Sequence, residues 1–199
     1  MQNELPHSPA AQRNKNVILD ELKALLMNQR DVMEIGHGTG EHALYFAQNL
    51  DHIQWYPYDT KDYNWILKEK MKVNSPKNLH DPCSFHVRNN QISPPIEINF
   101  DTLYCANVFH IMHEQDVKYL CGKLHELIKE KIILYGPYKF DGNFTSESNQ
   151  HFDQSLKARD PEMGIRNIED IQLWLKKFKL QKNISMPANN NLLLFERTE

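Results

Sequence analysis

Three glycines within five residues, directly after a short apolar segment, constrain this chain more than any other feature of its sequence. Residues 31–36 have the pattern of a buried strand, and Gly36, Gly38 and Gly40 end it in a GxGxG arrangement. Glycine adopts positive φ angles easily and lets a ligand approach the backbone closely. A strand, a glycine-rich turn and a helix in this order therefore predict a nucleotide-type binding loop, although tight packing alone could also explain the glycines.

The rest of the chain alternates between strand and helix patterns. Ser8 followed by Pro9 predicts the start of a first helix, with serine as the cap and proline at the first helical position. Strands are predicted at 31–36, 53–58, 84–88, 102–106 and 131–135, and further helices after the glycine turn, over 59–73 and over 114–129. Such alternation is typical of an α/β protein with a parallel sheet and helices on both faces.

Two departures from plain alternation refine this prediction. About thirty residues, 136–166, separate the fifth strand from the next helix, far beyond the usual connection of about 2–6 residues. We therefore predict a lid-like insertion with one helix over 148–158.

The chain then ends in strand patterns at 180–186 and 191–197, joined by turn residues. A terminal antiparallel hairpin is typical of class I methyltransferases rather than of nicotinamide-binding folds. We expect one Rossmann-like domain over 1–199, with a mostly parallel seven-stranded sheet and an antiparallel C-terminal strand.

The residues around the turn favour S-adenosyl-L-methionine over a phosphate ligand. Glu41 stands where the dinucleotide fingerprint has its third glycine, and the Gly-Lys-Ser/Thr ending of a P-loop is missing. Glu34 suits the cationic ammonium and sulfonium groups of S-adenosylmethionine, and Asp59 at the end of the second strand can accept hydrogen bonds from both ribose hydroxyls. The cofactor-binding residues predicted here are Glu34, Gly36, His37, Gly38, Gly40 and Asp59.

Short motifs along almost the whole chain resemble one known family. They lie at 8–14, 34–42, 55–59, 105–111, 135–138, 148–149, 152–156, 159–161 and 186–190. Together they resemble the domain-of-unknown-function 938 family, which includes the methyltransferase-like 26 group, from about residue 6 to residue 197. The resemblance implies a class I S-adenosylmethionine-dependent methyltransferase fold and no particular substrate. It is also the reason for adding Arg13 and Asn14 to the cofactor-binding residues.

One position departs from the usual pattern of such folds. An acidic residue near the adenine amino group often follows the third strand, but this stretch reads Val87-Arg88-Asn89-Asn90. An amide oxygen can accept the same hydrogen bond, so we predict Asn89 or Asn90 as the adenine contact.

The segment after the fourth strand carries the predicted catalytic group. Methyl transfer is an in-line displacement that needs a base only where the acceptor starts protonated. His110 lies where class I enzymes face the departing methyl group, and an ordinary histidine titrates near neutral pH, so we predict it as the base. A capping or packed histidine is the alternative. Tyr138 is the second predicted catalytic residue, and Asn107 is predicted to hold the cofactor or the acceptor.

Predicted acceptor-binding residues lie in or beside the insertion: Tyr135, Asn149, Asp153 and Arg159. Arg159 and Arg166 favour an anionic acceptor such as a carboxylate. Ion pairs with Asp153 or Asp160 would explain both arginines equally well. A solvated loop anchored by its phenylalanines is the alternative to a lid.

Composition excludes several other classes of protein. A chain of 199 residues, 40% hydrophobic and 25% charged, suits one globular domain, and a net charge of −3 argues against an autonomous nucleic-acid binder. No apolar run approaches the roughly 20 residues of a membrane span. Three cysteines without a CxxC motif indicate no disulfide framework, and the paired histidines lack a third ligand, so no metal site is predicted.

We therefore predict a cytoplasmic S-adenosylmethionine-dependent methyltransferase that acts on an unidentified small molecule, with no nucleic-acid or membrane partner. Oxygen, nitrogen, sulfur and carbon acceptors are all compatible with the sequence, and the oligomeric state is left open. One alternative is a non-catalytic S-adenosylmethionine-binding or scaffolding protein with the same fold. A nicotinamide-dependent oxidoreductase is the other, disfavoured by the glycine spacing and the terminal hairpin.

Overall fold

The computed structural model describes residues 5–96 and 98–198 as an α/β fold. The helices are α1 (Pro9–Leu25), α2 (Glu41–Asn49), α3 (Lys61–Val73), α4 (Glu114–Leu127), α5 (Glu147–Arg159) and α6 (Ile168–Trp174). The strands are β1 (Asp31–Ile35), β2 (Gln54–Asp59), β3 (Cys83–Ser84), β4 (His86–Arg88), β5 (Gln91–Ser93), β6 (Phe100–Ala106), β7 (Ile128–Gly136), β8 (Lys139–Phe140), β9 (Asn143–Phe144), β10 (Phe178–Met186) and β11 (Asn190–Arg197).

Seven of these strands form one sheet in the order β10-β11-β7-β6-β1-β2-β3. Strand β2 runs parallel to β1 and to β3, and β6 runs parallel to β7. Strand β11 is antiparallel to both of its neighbours, β7 and β10. The predicted mostly parallel, seven-stranded sheet with an antiparallel C-terminal strand is therefore confirmed. Two small hairpins, β4-β5 and β8-β9, lie outside this sheet.

The chain forms two compact units that divide between His86 and Val87. In the first unit, α1 begins at the predicted cap, where the Ser8 hydroxyl oxygen accepts a hydrogen bond from the backbone N–H of Ala11 at 3.2 Å. The predicted apolar face of α1 is buried and α1 packs against α2; its buried residues are Ile18, Leu19, Leu22, Leu25 and Leu26. Each such side chain contributes roughly 1.5–3 kcal/mol through burial.

The second unit is built around the C-terminal hairpin and the strands beside it. Residues 191–195 of β11 are buried one after another, which is typical of a strand covered on both faces. Helix α4 buries the predicted stripe of Val117, Leu120, Cys121 and Leu124 and packs against α6. The helix ends earlier than predicted, because Ile128 already belongs to β7.

The predicted strand over 84–88 is wrong in its bounds. The sheet strand β3 ends at Ser84, and the chain then enters the β4-β5 hairpin. Asn89 and Asn90 form the turn of that hairpin with φ angles of 53° and 56°. Asparagines tolerate this left-handed backbone, so residues 86–88 pair within the hairpin and do not continue the sheet strand.

The insertion is ordered and contains the predicted helix. Helix α5 covers Glu147–Arg159, and the hydroxyl oxygen of Ser146 caps it by accepting a hydrogen bond from the backbone N–H of Asn149 at 3.2 Å. Whether residues 136–166 act as a lid within one domain stays a prediction. In the part of the chain that the structure describes, none of the helices has the length and apolar character to cross a membrane.

Candidate functional site

The glycine turn adopts the backbone that its sequence requires. Gly36, Gly38 and Gly40 have φ angles of 81°, 55° and 87°, which side chains with a Cβ rarely tolerate. A Cβ added at Gly40 would lie 2.7 Å from Cδ1 of Leu67, so this glycine also allows α3 to pack closely. A Cβ at Gly38 would meet no atom within 4 Å. The backbone at Gly38 is therefore the part of the turn that a ligand can approach.

The carboxylate of Asp59 is fixed directly against the turn. Its Oδ2 accepts a hydrogen bond from the backbone N–H of Gly38 at 2.6 Å, and its Oδ1 accepts one from the N–H of Thr60 at 2.6 Å. Each carboxylate oxygen has two lone pairs, so both can accept a further hydrogen bond. This arrangement suits two neighbouring hydroxyls, as the sequence predicted for a ribose.

Glu34 is buried on β1, with 2% of its surface exposed, and the indole N–H of Trp55 donates a hydrogen bond to its Oε2 at 2.7 Å. Burial raises the pKa of Glu34 to about 8, against the lowering effect of the Trp55 hydrogen bond, and the charges of Asp59 and Glu41 raise it further. The sequence predicted a carboxylate here, yet the group keeps its proton at neutral pH until a cation favours ionisation. A ligand ammonium is such a cation.

His37 connects the turn to its surroundings instead of facing open space. Its Nδ1 lies 3.0 Å from the carbonyl oxygen of Gly38, and its Nε2 lies 2.9 Å from Oδ1 of Asn64. The Asn64 amide in turn donates a hydrogen bond to the hydroxyl of Ser84 at 3.2 Å. His37 is buried, so the structure places it as a support for the turn, and direct contact with a cofactor stays a prediction.

The glycine turn is also held by a part-buried ion pair between Glu41 and Lys70, which has no signal in the sequence. Oε1 of Glu41 accepts hydrogen bonds from Nζ of Lys70 at 2.8 Å and from the backbone N–H of Ser8 at 3.2 Å, and its Oε2 accepts one from the hydroxyl of Thr39. Lys70 also donates to the carbonyl oxygen of Thr39 at 2.8 Å. Burial alone would raise the pKa of Glu41, but the hydrogen bonds from Lys70 and Thr39 outweigh it and lower the pKa. No sequence spacing reveals this pair, because its partners lie 29 residues apart.

The two predicted residues on α1 differ in their environment. Oδ1 of Asn14 lies 2.7 Å from Nε2 of His42, and the His42 ring stacks on Phe46 with 4.9 Å between centroids. Burial lowers the pKa of His42 to about 4, so the ring is neutral and its Nε2–H donates to Asn14. Arg13 is exposed on the same helix. Asn14 thus joins α1 to α2, and a cofactor contact by either residue stays a prediction.

Asn89 lies in the exposed turn of the β4-β5 hairpin and not directly after a sheet strand. The argument that placed it near adenine assumed that the third strand continued to Arg88, whereas that strand ends at Ser84. Its contact with the cofactor stays a prediction without that support.

In the second unit, the ends of β6 and β7 meet at Asn107. Its backbone N–H donates a hydrogen bond to the carbonyl oxygen of Tyr135 at 2.8 Å, and its φ angle is 59°. A Cβ added at Gly136 would lie 3.4 Å from Oδ1 of Asn107, so the glycine leaves room for this side chain. Asparagine tolerates this left-handed backbone, and the predicted contact of Asn107 with the cofactor or the acceptor stays a prediction.

His110 is packed beneath the insertion. Its ring meets the ring of Phe152 edge-on with 5.2 Å between centroids, and its carbonyl oxygen accepts a hydrogen bond from the N–H of Gly164 at 2.9 Å. Burial lowers the pKa of His110 to about 4, and the charges of Arg166 and Arg159 lower it further. The prediction of a near-neutral pKa is therefore wrong, because the sequence does not show that the insertion covers the ring. His110 is uncharged at neutral pH and a weak proton acceptor.

The predicted tyrosines belong to the core. Tyr138 is buried, and burial, with Cys105 and Cys121 nearby, raises the pKa of its hydroxyl well above the usual value. The phenol therefore stays protonated at neutral pH, and the catalytic role of Tyr138 stays a prediction. Tyr135 is buried on β7 as well. Its acceptor-binding role stays a prediction.

Two predicted acceptor-binding residues hold the insertion together. The amide of Asn149 donates hydrogen bonds to the hydroxyl of Thr145 at 2.7 Å and to the carbonyl oxygen of Asn189 at 2.9 Å, which ties α5 to the terminal hairpin. Oδ1 of Asp153 accepts a hydrogen bond from the N–H of Ile165 at 2.7 Å. Its Oδ2 forms an ion pair with Lys157 at 2.6 Å. Both side chains are buried, so these contacts give them a structural role and contact with an acceptor stays a prediction.

Arg166 also has a structural role, and its predicted preference for an anionic acceptor stays a prediction. Its guanidinium donates to the carbonyl oxygens of Phe109, Met112 and Glu162 at 3.1, 2.6 and 2.8 Å, and it pairs with Glu114 at 3.3 Å. These bonds use four of the five N–H groups of the guanidinium. The insertion is thereby fastened to the segment that follows β6.

Arg159 differs from Arg166 because it is exposed at the end of α5. Its nearest polar contact is Sδ of Met163 at 4.0 Å. The ion pairs that the sequence offered as an explanation are not formed, since Asp153 pairs with Lys157 and Asp160 with His113. Among the residues that the structure describes, no carboxylate forms an ion pair with Arg159. Its positive charge is therefore available to a ligand.

Comparison with solved structures identifies the class of fold. The chain is similar to human N-acetylserotonin methyltransferase in complex with S-adenosylmethionine, with 15% identity, a TM-score of 0.75, and coverage of 96% of this chain and 53% of that one. It is similar to an O-methyltransferase family protein from Burkholderia thailandensis (12% identity, TM-score 0.75, coverage 96% and 58%). It is also similar to magnesium protoporphyrin IX methyltransferase from Synechocystis with bound S-adenosylhomocysteine. The identity is 15% and the TM-score 0.67, and the match covers 97% of this chain and 90% of that one.

These similarities define a class I methyltransferase-like, Rossmann-like fold. The chain spans little more than half the length of the human and Burkholderia proteins, 53% and 58% respectively. Within the fold class, residues 5–197 match the family described as "Protein of unknown function (DUF938)", and the chain belongs to that family.

Proposed function

We propose that this protein is an S-adenosylmethionine-dependent methyltransferase. The observation that carries the proposal is the glycine turn, in which Gly38 is open to a ligand and its N–H holds the carboxylate of Asp59. Hydrogen-bond acceptors beside an open backbone turn suit the ribose and methionyl parts of this cofactor. S-adenosylmethionine would supply the electrophilic methyl group of the reaction.

The roles of the first unit follow from its geometry. Asp59 would accept hydrogen bonds from the two ribose hydroxyls. Glu34 would release its proton and pair with the ammonium of the methionyl group, because an adjacent cation favours the ionised form. Lys70 and Glu41 would keep the turn in shape by fixing Thr39 from below.

The acceptor that we propose is a small molecule, bound by the second unit. Arg159 supports this proposal, because its charge is exposed and forms no ion pair with a carboxylate of the described ranges.

We also propose that the protein belongs to the methyltransferase-like 26 group within the family and that it acts in a reducing, cytoplasmic location. Support for the location comes from Cys83, Cys105 and Cys121, which are free thiols.

A second candidate function is a protein that binds S-adenosylmethionine without transferring its methyl group. The burial of His110 and Tyr138 favours this candidate, since neither predicted catalytic group is suited to accept a proton.

Ligand-induced changes in melting temperature, followed by isotope transfer, would test these proposals. S-adenosylmethionine and S-adenosylhomocysteine should raise the melting temperature of the protein and NAD should not. Transfer of tritium from S-[methyl-³H]adenosylmethionine into a cell extract would then support an enzyme. Stabilisation without transfer would favour the binding protein, and stabilisation by NAD alone would support an oxidoreductase.

A further inference from the structure

We infer that a cavity of about 340 Å³ in the second unit binds a free amino acid with a cationic side chain. Its lining residues all lie between Glu114 and Trp174, so the cavity belongs to that unit alone. The inference goes beyond the proposed function, because this ligand needs neither the glycine turn nor a methyl group. Small-molecule pockets have volumes of about 300–1,000 Å³, so a cavity near the lower limit suits a ligand of amino-acid size.

The walls of the cavity carry charged side chains of both signs. The positive ones are Lys139, Lys157 and Arg166, and the negative ones are Glu114, Glu162 and Asp170. The carboxylates repel a phosphate or another polyanion, and the cations repel a polyamine. An apolar ligand would take water from these charges and give them no partner. A small ligand with charges of both signs is therefore the class that this lining suits.

Ion pairs within the protein neutralise part of the lining. Nη1 of Arg166 pairs with Glu114 at 3.3 Å, and Nζ of Lys157 pairs with Asp153 at 2.6 Å. Among the residues that the structure describes, three charged side chains of the lining form no ion pair: Lys139, Glu162 and Asp170. One cation and two carboxylates are therefore available to a ligand. They match an amino acid that has one carboxylate, an α-ammonium and a cationic side chain.

The carboxylate of the ligand binds to Lys139 and Arg166, which lie at adjacent backbone positions. The backbone N–H of Lys139 donates a hydrogen bond to the carbonyl oxygen of Arg166 at 2.9 Å. Nζ of Lys139 lies 5.5 Å from the centre of the Phe144 ring. The guanidinium of Arg166 uses four of its five N–H groups within the protein, and the fifth, at Nη1, is a further donor. Hydrogen bonds from these two cations to a carboxylate are of the strong, charge-assisted kind.

The cationic groups of the ligand bind to the opposite charges of the lining. Asp170 and Trp174 are four residues apart on α6, so their side chains lie on the same face of this helix. A carboxylate beside an indole ring suits an ammonium or guanidinium group, because the face of the ring also attracts cations. Glu162, on the loop after α5, provides the second carboxylate, for the α-ammonium. Both carboxylate residues are exposed, so a ligand reaches them from solvent.

Calorimetric titration of the full chain with lysine at neutral pH, without S-adenosylmethionine, tests this site. Three analogues each change one group of the ligand. Norleucine lacks the side-chain ammonium, cadaverine lacks the carboxylate, and glutamate has a side chain of opposite charge. We expect lysine to bind at one site per chain and each analogue to bind at least about tenfold more weakly, since a charge-assisted contact is lost.

Two variants assign the groups of the ligand to the residues of the cavity. Lys139→Met should weaken lysine binding about tenfold or more and leave the weaker binding of cadaverine unchanged, because cadaverine has no carboxylate. Asp170→Asn should weaken the binding of lysine and leave that of norleucine unchanged. Lys182→Met is the matched control, because this lysine is exposed on β10 and does not line the cavity. It should bind lysine as wild type does.

The inference fails if folded wild type shows no binding of lysine up to about 10 mM. It also fails if norleucine or glutamate binds as tightly as lysine, a comparison that needs no variant to fold. Unchanged lysine affinity in both Lys139→Met and Asp170→Asn would place the ligand elsewhere and overturn it as well. Titration with S-adenosylhomocysteine tests the proposed function separately, so a protein that binds lysine alone keeps this inference and loses that function.

Discussion

Buried Glu34 should make the free energy of unfolding fall as pH rises, whereas most carboxylates in folded proteins have the opposite effect. Its folded pKa of about 8 lies above the usual 4.5, so the folded protein retains a proton that the unfolded chain releases. The free energy of unfolding should therefore fall as pH rises from about 4.5 to about 8. Urea unfolding at the two ends of this range measures the loss, which we expect to be on the order of a few kcal/mol.

The neutral variant Glu34→Gln is the control for this effect. Its amide oxygen can still accept the hydrogen bond from Trp55, but the side chain does not ionise. Its stability should depend less on pH than that of wild type over the same range. An equal dependence in both proteins would show that another group is responsible.

The glycines differ in how much room their surroundings leave for a Cβ atom. Alanine substitutions measure this difference as a change in the free energy of unfolding. Gly40→Ala combines a φ of 87° with a Cβ 2.7 Å from Leu67, and should cost about 1–3 kcal/mol of unfolding free energy. Gly122→Ala is the matched control, because this glycine lies inside α4 with no atom within 4 Å of the added Cβ. It should leave stability unchanged or raise it by up to about 1 kcal/mol. Equal losses in both variants would contradict the close packing at Gly40.

The proximity of the residues around the glycine turn could be predicted from the sequence, because their contacts are local or follow from the strand order. Gly38 and Asp59 are an example, since parallel strands bring their carboxyl ends together. His110 could not be predicted in the same way. Its pKa depends on burial by a distant part of the chain, and its sequence neighbours do not reveal that burial.

At the level of elements, Arg166 fastens the end of the insertion to the segment that follows β6. Arg166 bonds three carbonyl oxygens and Glu114 between the insertion and the segment after β6. Arg166→Ala should cost about 2–4 kcal/mol of unfolding free energy, since several buried acceptors lose their donor. Arg159→Ala, at an exposed position, should change stability by less than about 0.5 kcal/mol. Equal effects of the two variants in urea unfolding would contradict the structural role of Arg166.

The elements themselves were predictable where a pattern was long and periodic. Helix α5 matches its prediction within one residue at each end, and the serine that caps it lies directly before it in the chain. The third strand was mispredicted because the two-residue β3 is too short to show an alternating pattern, and the extended residues His86–Arg88 belong to a separate hairpin. The pairing of His113 with Asp160 joins α4 to α5 and has no local signal.

At the scale of the whole molecule, fold and family agree. The alternating pattern and terminal hairpin predicted the seven-stranded sheet, and the match over residues 5–197 supports the resemblance found in the motifs. The acceptor is less predictable, because most of the residues predicted to contact it lie in the insertion, whose internal contacts have no pattern in the sequence. Asn149, Asp153 and Arg166, which the sequence linked to the acceptor, also hold the insertion in place, and that role has no signal in the sequence.

Calorimetric titration of S-adenosylhomocysteine tests the central claim most directly. Wild type should bind it with one site per chain, and Asp59→Ala should weaken binding about 100-fold, because two hydrogen bonds to a charged group are lost. Asp51→Ala, at a fully exposed position, should bind as wild type does. Absence of binding by a folded wild-type protein, or equal affinity in wild type and Asp59→Ala, would contradict a cofactor site at the glycine turn.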